Sequence, residues 1–196
     1  MKKRILQKQQ TRALILEKAK NLLEETGALK MNTADLARSC NISHGALFFH
    51  FKTKEELIFE IYKNKLQEIG NELYKIAFSQ NQIDQLEVYL SEYLNFIAAN
   101  EQFFSIVYRE FAFYPLNLKR EILSFELIIR NFFYTAVESG IKAGKIKKMD
   151  ITTVLNFLFG LLNYYIYHRE LFVKSGSVIN QHSELIKNTF MQFLAV

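Results

Sequence analysis

Between residues 43 and 54 the chain concentrates side chains suited to binding a charged, hydrogen-bonding surface. Ser43-His44-Gly45-Ala46 combines a hydroxyl and an imidazole with two residues small enough to let another molecule reach the backbone, and His50, Lys52 and Lys54 follow closely. Hydroxyl, imidazole and ammonium groups at this spacing donate hydrogen bonds and pair with anions. They do not form a catalytic set. The sequence holds no glycine-rich phosphate loop, nucleophile elbow, HExxH or paired-cysteine motif, and its four histidines are scattered. No catalytic residue, metal site or cofactor is expected. Cys40, the single cysteine, cannot form an internal disulfide. It suits a small buried apolar position, and a redox sensor is the alternative.

Helices must position these groups. One proline and seven glycines in 196 residues leave few breaks for strands and turns, and no stretch alternates like a strand. Ile15, Ala19, Leu22 and Leu23 recur at helical spacing, and Gly27 then supplies a left-handed cap. Thr33 is expected to cap a short helix carrying Leu36 and Ala37, and Ser43 to cap another running from His44 to His50. Cys40-Asn41-Ile42 joins the two. Asn41 suits the tight turn because asparagine tolerates a left-handed backbone. Two such helices make a helix-turn-helix with Leu36, Ala37, Ile42 and Leu47 as its core. Leu47 and Phe51 suit the interior, whereas Phe49 fits either the core or the surface. Thr53-Lys54-Glu55-Glu56 predicts a capping box opening a long helix to Ser79. Asn81, Asn100 and Asp150 each precede an apolar run as caps do. Pro115 separates two helices, Gly144 ends the next, and Ser175-Gly176-Ser177 separates the last two. The expectation is an all-α chain of about nine helices.

The charge becomes informative once divided. The formal net charge is +5, yet residues 1–54 hold eleven Lys/Arg against four acids, and the remainder is slightly acidic. A basic head on a near-neutral body points to a polyanion met at one end. Met1-Lys2-Lys3-Arg4 leads into polar residues rather than the apolar run of a secretory signal. Val154 to Tyr167, interrupted by Asn156, Gly160 and Asn163, is too short to span a bilayer. A cytoplasmic protein with no membrane partner is expected.

Thr11-Arg12, Ile15-Leu16, Gly27, Thr33, Leu36-Ala37, Ile42 through Phe51, and Lys54-Glu55-Glu56-Leu57 together resemble the TetR (tetracycline repressor) family of transcriptional regulators, in unbroken register over about the first sixty residues. The resemblance implies a three-helix DNA-binding domain over residues 1–53 and a helical effector-binding and dimerisation domain over 54–196. It places Thr33 on a phosphate, and Ser43, His44, Gly45 and Ala46 against base edges and adjacent backbone. It places His50 and Lys54 on backbone, and the Lys52 ammonium beside them joins the expected DNA-binding set with Phe49. Phe48 stands where the family usually has a tyrosine that reaches phosphate, so only apolar contact, such as with a thymine methyl, is left to it. Ala34 stands where some relatives carry a long base-reading side chain.

In the body, residues from Val154 to Tyr167 are apolar nearly all round, so this helix needs cover on two sides. Ile186, Phe190 and neighbours give the last helix an apolar stripe. The resemblance implies that these two helices form a four-helix bundle across a two-fold axis, with Leu158, Gly160, Leu162, Tyr165, Ile186 and Phe190 at the interface; helices that only close a monomer core are the alternative, which explains the all-round apolarity less well. It also implies an effector cavity among the preceding aromatic-rich helices. Phe104, Tyr108, Phe111 and Phe133 are the candidate apolar lining, with Arg109, Arg130 and Asn163 as polar anchors that allow an anionic group if either arginine points inward; most such aromatic stripes are plain core. The function expected is a homodimeric repressor on near-palindromic operator DNA, relieved by a small hydrophobic ligand. A helix-turn-helix protein without an effector, activating or architectural, is the alternative, and a small-molecule enzyme a more distant one.

Overall fold

The computed structural model describes residues 2–78 and 86–196, with side chains from Ile5 to Lys75 and from Leu86 to Val196. The predicted cap at Asn81 and helix end at Ser79 lie outside the described residues. Every regular element described is helical: α1 (Lys2–Thr26), α2 (Thr33–Ser39), α3 (His44–His50), α4 (Lys54–Phe78), α5 (Leu86–Ala99), α6 (Glu101–Glu110), α7 (Leu116–Lys142), α8 (Ile151–Tyr167), α9 (Arg169–Phe172) and α10 (Val178–Leu194), with a single 3₁₀ turn at Phe111–Phe113. The one-turn α9 brings the number of α-helices among the described residues to ten. None of the described helices is long and apolar enough to cross a membrane.

Local chemistry sets most boundaries. Gly27 and Gly144 take φ of +82° and +72° where α1 and α7 stop, and Asn41 takes +54° in the turn between α2 and α3. Ser43 accepts from the Ala46 N–H, Asp150 from Thr152 and Ser177 from Asn180, as caps do. Three expectations are corrected. The cap of α2 is Asn32, whose side chain accepts from Ala34 and Asp35, so Thr33 is the first helical residue. Asn32 has the extended backbone of a cap (φ −96°, ψ 118°), whereas Thr33 already lies within the helix. In the capping box Thr53 accepts from the Glu56 N–H, but Glu56 returns to the Lys52 N–H at 2.6 Å rather than to Thr53. Asn100 sits at a helix start yet donates its amide backwards, to the Phe96 carbonyl.

The chain forms two compact units, Met1–Gln67 with Glu110–Glu121, and Glu68–Arg109 with Ile122–Val196. The expected division after residue 53 falls inside the first unit, because α4 runs on through Gln67 and a later segment joins the head. In the first unit Ile15, Ala19 and Leu23 of α1, Leu36 and Ala37 of α2, Leu47 of α3, Phe51, and Leu57 and Ile61 of α4 are buried. In the second, α10 lies against α5 and α8. Leu90 and Leu94 of α5, Phe133 of α7, Leu158 and Leu162 of α8 and Ile186 of α10 fill the interior.

Candidate nucleic-acid interface

The first turn of α3 is built to be approached. His44 and Gly45 are exposed, and a Cβ built on Gly45 would meet nothing within 4 Å. Ala46 and Phe48 are half-buried, whereas Leu47 and Phe51 are fully buried and anchor the helix from behind. Phe49 is 63% exposed, which settles its side of the helix. The Lys8 ammonium of α1 lies 4.9 Å from the centre of its ring, a cation–π contact joining residues 41 positions apart. Thr33 Oγ1 lies 3.0 Å from His44 Nε2. The structure therefore brings Thr33, His44, Gly45, Phe48 and Phe49 together, with Lys8 added.

His50 is half-buried, and its Nδ1 is enclosed with no hydrogen-bond partner among the described residues. Burial, with the charges of Lys8 and Arg12, pushes its pKa below the usual imidazole value, so the ring favours the neutral form. Lys52 is exposed, and Lys54 donates from Nζ to the Leu29 carbonyl at 3.2 Å. Arg12 is half-buried. It forms a bidentate pair with Glu60, and its guanidinium lies 4.5 Å from the centre of the Phe51 ring. Cys40 is buried, and desolvation pushes its thiol pKa up, an environment that disfavours the reactive thiolate.

One structural residue of the head was hidden in the sequence. Glu110, at the end of α6, is buried and accepts from the Ala28 N–H at 2.9 Å and the Leu29 N–H at 3.3 Å. Tyr114 donates to the same carboxylate at 3.2 Å, and its oxygen lies 2.5 Å from the Tyr62 hydroxyl. Burial pushes both phenol pKa values up and keeps the chain of hydroxyls protonated. A side chain at Gly27 would collide with the Glu110 carboxylate, and positive φ already favours glycine there. The glutamate thus holds the loop that enters the helix-turn-helix. Eighty-two positions separate Ala28 from Glu110, so no local pattern could have found it.

In the second unit the aromatic residues interlock. Phe133 is fully buried, with ring centres of Tyr89, Tyr93 and Phe159 at 4.7, 5.3 and 5.6 Å. Phe104 stacks with Tyr108 at 6.3 Å, and Asn163 is half-buried. Phe111 falls in the first unit instead, on the 3₁₀ turn near Lys119. Arg130 is already engaged. It donates to Glu126 and Asn156, each at 3.0 Å, and lies 4.4 Å from the Phe159 ring centre. Arg109 likewise pairs with Glu170. The Tyr89 hydroxyl and Ser105 Oγ are buried without a partner among the described residues. Among the described residues of this core, they are polar atoms left to bond something else.

The outer face of α8 and α10 forms an apolar groove. Phe157 (68% exposed), Leu161, Thr189 and Phe193 form its sides, and Leu158, Ile186 and Phe190 its floor. Gly160 is exposed with open space above it, and Tyr165 stacks on His182 at 4.9 Å. Leu162, expected at an interface, is 1% exposed and belongs to the protomer's own core. An all-round apolar helix does not say which side faces inward.

A family model for bacterial regulatory proteins of the tetR family matches residues 15–61, and one for the tetracyclin repressor-like C-terminal domain matches 79–167. Together they span more than half of the chain. The chain is 31% identical over 78 residues to the HTH-type transcriptional regulator TtgR of Pseudomonas putida, covering 40% of this chain and 37% of that relative. It is 20% identical over 151 residues to the fatty acid metabolism regulator protein of Bacillus subtilis, covering 76% and 78% of the two chains. The crystal structure of the transcriptional regulator FadR from Bacillus subtilis in complex with stearoyl-CoA superimposes with a TM-score of 0.71 at 16% identity, over 93% of this chain and 98% of that one.

Proposed function

Since the chain belongs to the TetR family of bacterial transcriptional regulators, we propose that it binds near-palindromic operator DNA as a homodimer, represses neighbouring genes, and lets go when a small hydrophobic ligand enters its body. The observation that carries this is the open face of α3, where His44, Gly45 and Phe49 are exposed beside Lys8. An exposed aromatic among cations suits a groove lined by phosphates. In this reading residues 1–53 contact DNA, with Thr33, Ser43, His44, Gly45, Ala46, Phe48, Phe49, His50, Lys52 and Lys54 at the surface. Residues 54–196 hold the ligand and the dimer contact.

The α8–α10 groove is the surface on which a second copy would pack, and its two-fold symmetry would match a two-fold operator. The interlocked rings around Phe133 and Phe104 suit an apolar ligand, and the engaged state of Arg130 and Arg109 argues against an anionic group buried there. Tyr89 and Ser105 are the groups placed to bond a neutral oxygen. The similarity to a fatty acid metabolism regulator, and to a neighbour crystallised with stearoyl-CoA, supports a ligand with a long acyl chain.

The test is recovery of bound genomic DNA followed by titration of the selected duplex. Specific binding falls steeply with salt, and an acyl-CoA titrated into the complex releases the duplex. Equal affinity for random duplex, or no salt dependence, rejects the DNA reading. Specific binding that no acyl compound or other apolar ligand disturbs favours a regulator without an effector.

A further inference from the structure

The first residue of α2 holds the first residue of α3. Thr33 Oγ1 is 3.0 Å from His44 Nε2, and the His44 ring meets Phe48 one turn later, ring centres 4.9 Å apart and nearly perpendicular. An imidazole engaged at Nε2 and packed against Phe48 keeps one ring nitrogen, Nδ1, for anything outside the protein.

A hydroxyl carries one hydrogen, and a neutral imidazole carries one N–H. Two arrangements satisfy the contact. If Thr33 donates to Nε2, the imidazole hydrogen sits on Nδ1, which then seeks an acceptor. If the Thr33 hydrogen is turned towards a DNA phosphate, its oxygen accepts from Nε2–H, and Nδ1 is left as a bare acceptor. On the DNA-binding reading above, on which this inference rests, Thr33 faces phosphate and the second arrangement follows. In the major groove the hydrogen-bond donors on base edges are the exocyclic amino groups of adenine and cytosine.

We infer that Thr33 is a positioning residue that sets the tautomer of His44, so that neutral His44 selects adenine or cytosine by accepting from the exocyclic amino group through Nδ1. A contact to the backbone, which carries no sequence information by itself, thereby decides which base a neighbouring side chain can read.

The experiment measures binding at a fixed pH of 8 to duplexes carrying each base pair at each operator position. Wild-type protein is compared with Thr33→Val, Thr33→Ser and His44→Ala. The position where His44→Ala loses discrimination marks the base that His44 reads. There the wild type prefers adenine or cytosine by about tenfold. Replacing adenine by purine, or cytosine by 2-pyrimidinone, removes that preference because the amino group is gone. Thr33→Val keeps the side-chain shape without the hydroxyl. It weakens all duplexes together and, at this position alone, reduces discrimination to about twofold; Thr33→Ser restores it. A wild-type preference for guanine or thymine there overturns the inference. So do full discrimination by Thr33→Val, a Thr33→Ser variant as flat as valine, or a His44→Ala variant that discriminates everywhere like wild type. A wild type that selects no duplex at all rejects the DNA-binding reading itself, whereas selective binding with an inert Thr33→Val rejects only this inference.

Discussion

Each unit of the molecule holds a buried glutamate from α6 against backbone N–H groups. In the head Glu110 accepts from Ala28 and Leu29; in the body Glu101, 3% exposed, accepts from Val178 and Ile179 at the start of α10, from the Ser177 hydroxyl and from Arg169. Burial alone would raise the Glu101 pKa, but the hydrogen bonds from Ser177, Arg169 and the backbone outweigh it and hold the group ionised. Outside, the two units diverge. Phe49 stands beside Lys8 on a surface of imidazole, hydroxyl and ammonium groups, whereas Phe157 stands beside Phe193, Leu161 and Phe190. Exposed phenylalanine alone says little about function. Its neighbours distinguish a surface suited to a polyanion from one suited to another apolar face.

The largest effect is expected at the apolar face. Phe157→Asp places a charge on a rim that is already exposed in the protomer, so folding is spared while association weakens by at least about a hundredfold. Sedimentation velocity with circular dichroism checks both halves. A Phe157→Asp protein as dimeric as wild type would remove the groove as the contact. Phe190→Asp is a poorer probe, since Phe190 is only 7% exposed and its loss also disturbs the protomer core.

A smaller loss is expected inside the head. Glu110→Ala strands the Ala28 and Leu29 N–H groups and the Tyr114 hydroxyl, at a cost of about 2–4 kcal/mol. Urea denaturation followed by head fluorescence from a dye attached near α3 would register it as a lower midpoint. Stability indistinguishable from wild type would mean that water replaces the carboxylate without loss.

The smallest effect is a pH dependence from His50. Its pKa is lower in the folded head than in an unfolded chain, so below the ordinary imidazole value the unfolded state binds more protons. Stability from this group is therefore complete at higher pH and falls as pH drops through about 6.5 towards the depressed folded value. His50→Gln should flatten that part of the stability profile between pH 5.5 and 7.5. An unchanged slope in the variant would assign the titration to another group.

Local chemistry decided much of this protein within a few consecutive residues. Ser43, Asp150 and Ser177 cap because a short acceptor reaches N–H groups two or three positions on, and Gly27, Asn41 and Gly144 turn because few residues accept positive φ. Those rules operate over one turn of chain, so the all-helical course and the helix-turn-helix were readable from residue order. The choice between adjacent capping residues, Asn32 over Thr33, already needed the backbone itself, extended at Asn32 and helical from Thr33. The remaining features depend on residues distant in sequence meeting in space. The cation over Phe49 comes from Lys8, the carboxylate on Ala28 from Glu110, and the partners that engage Arg130 include Asn156 on another helix. The inward side of α8 belongs with them: Leu162 and Phe157 are equally apolar in sequence, and only packing against α10 and its neighbours buries one and leaves the other at the surface. Hydrophobicity has no direction, so a helix apolar on every side takes its orientation from the rest of the fold.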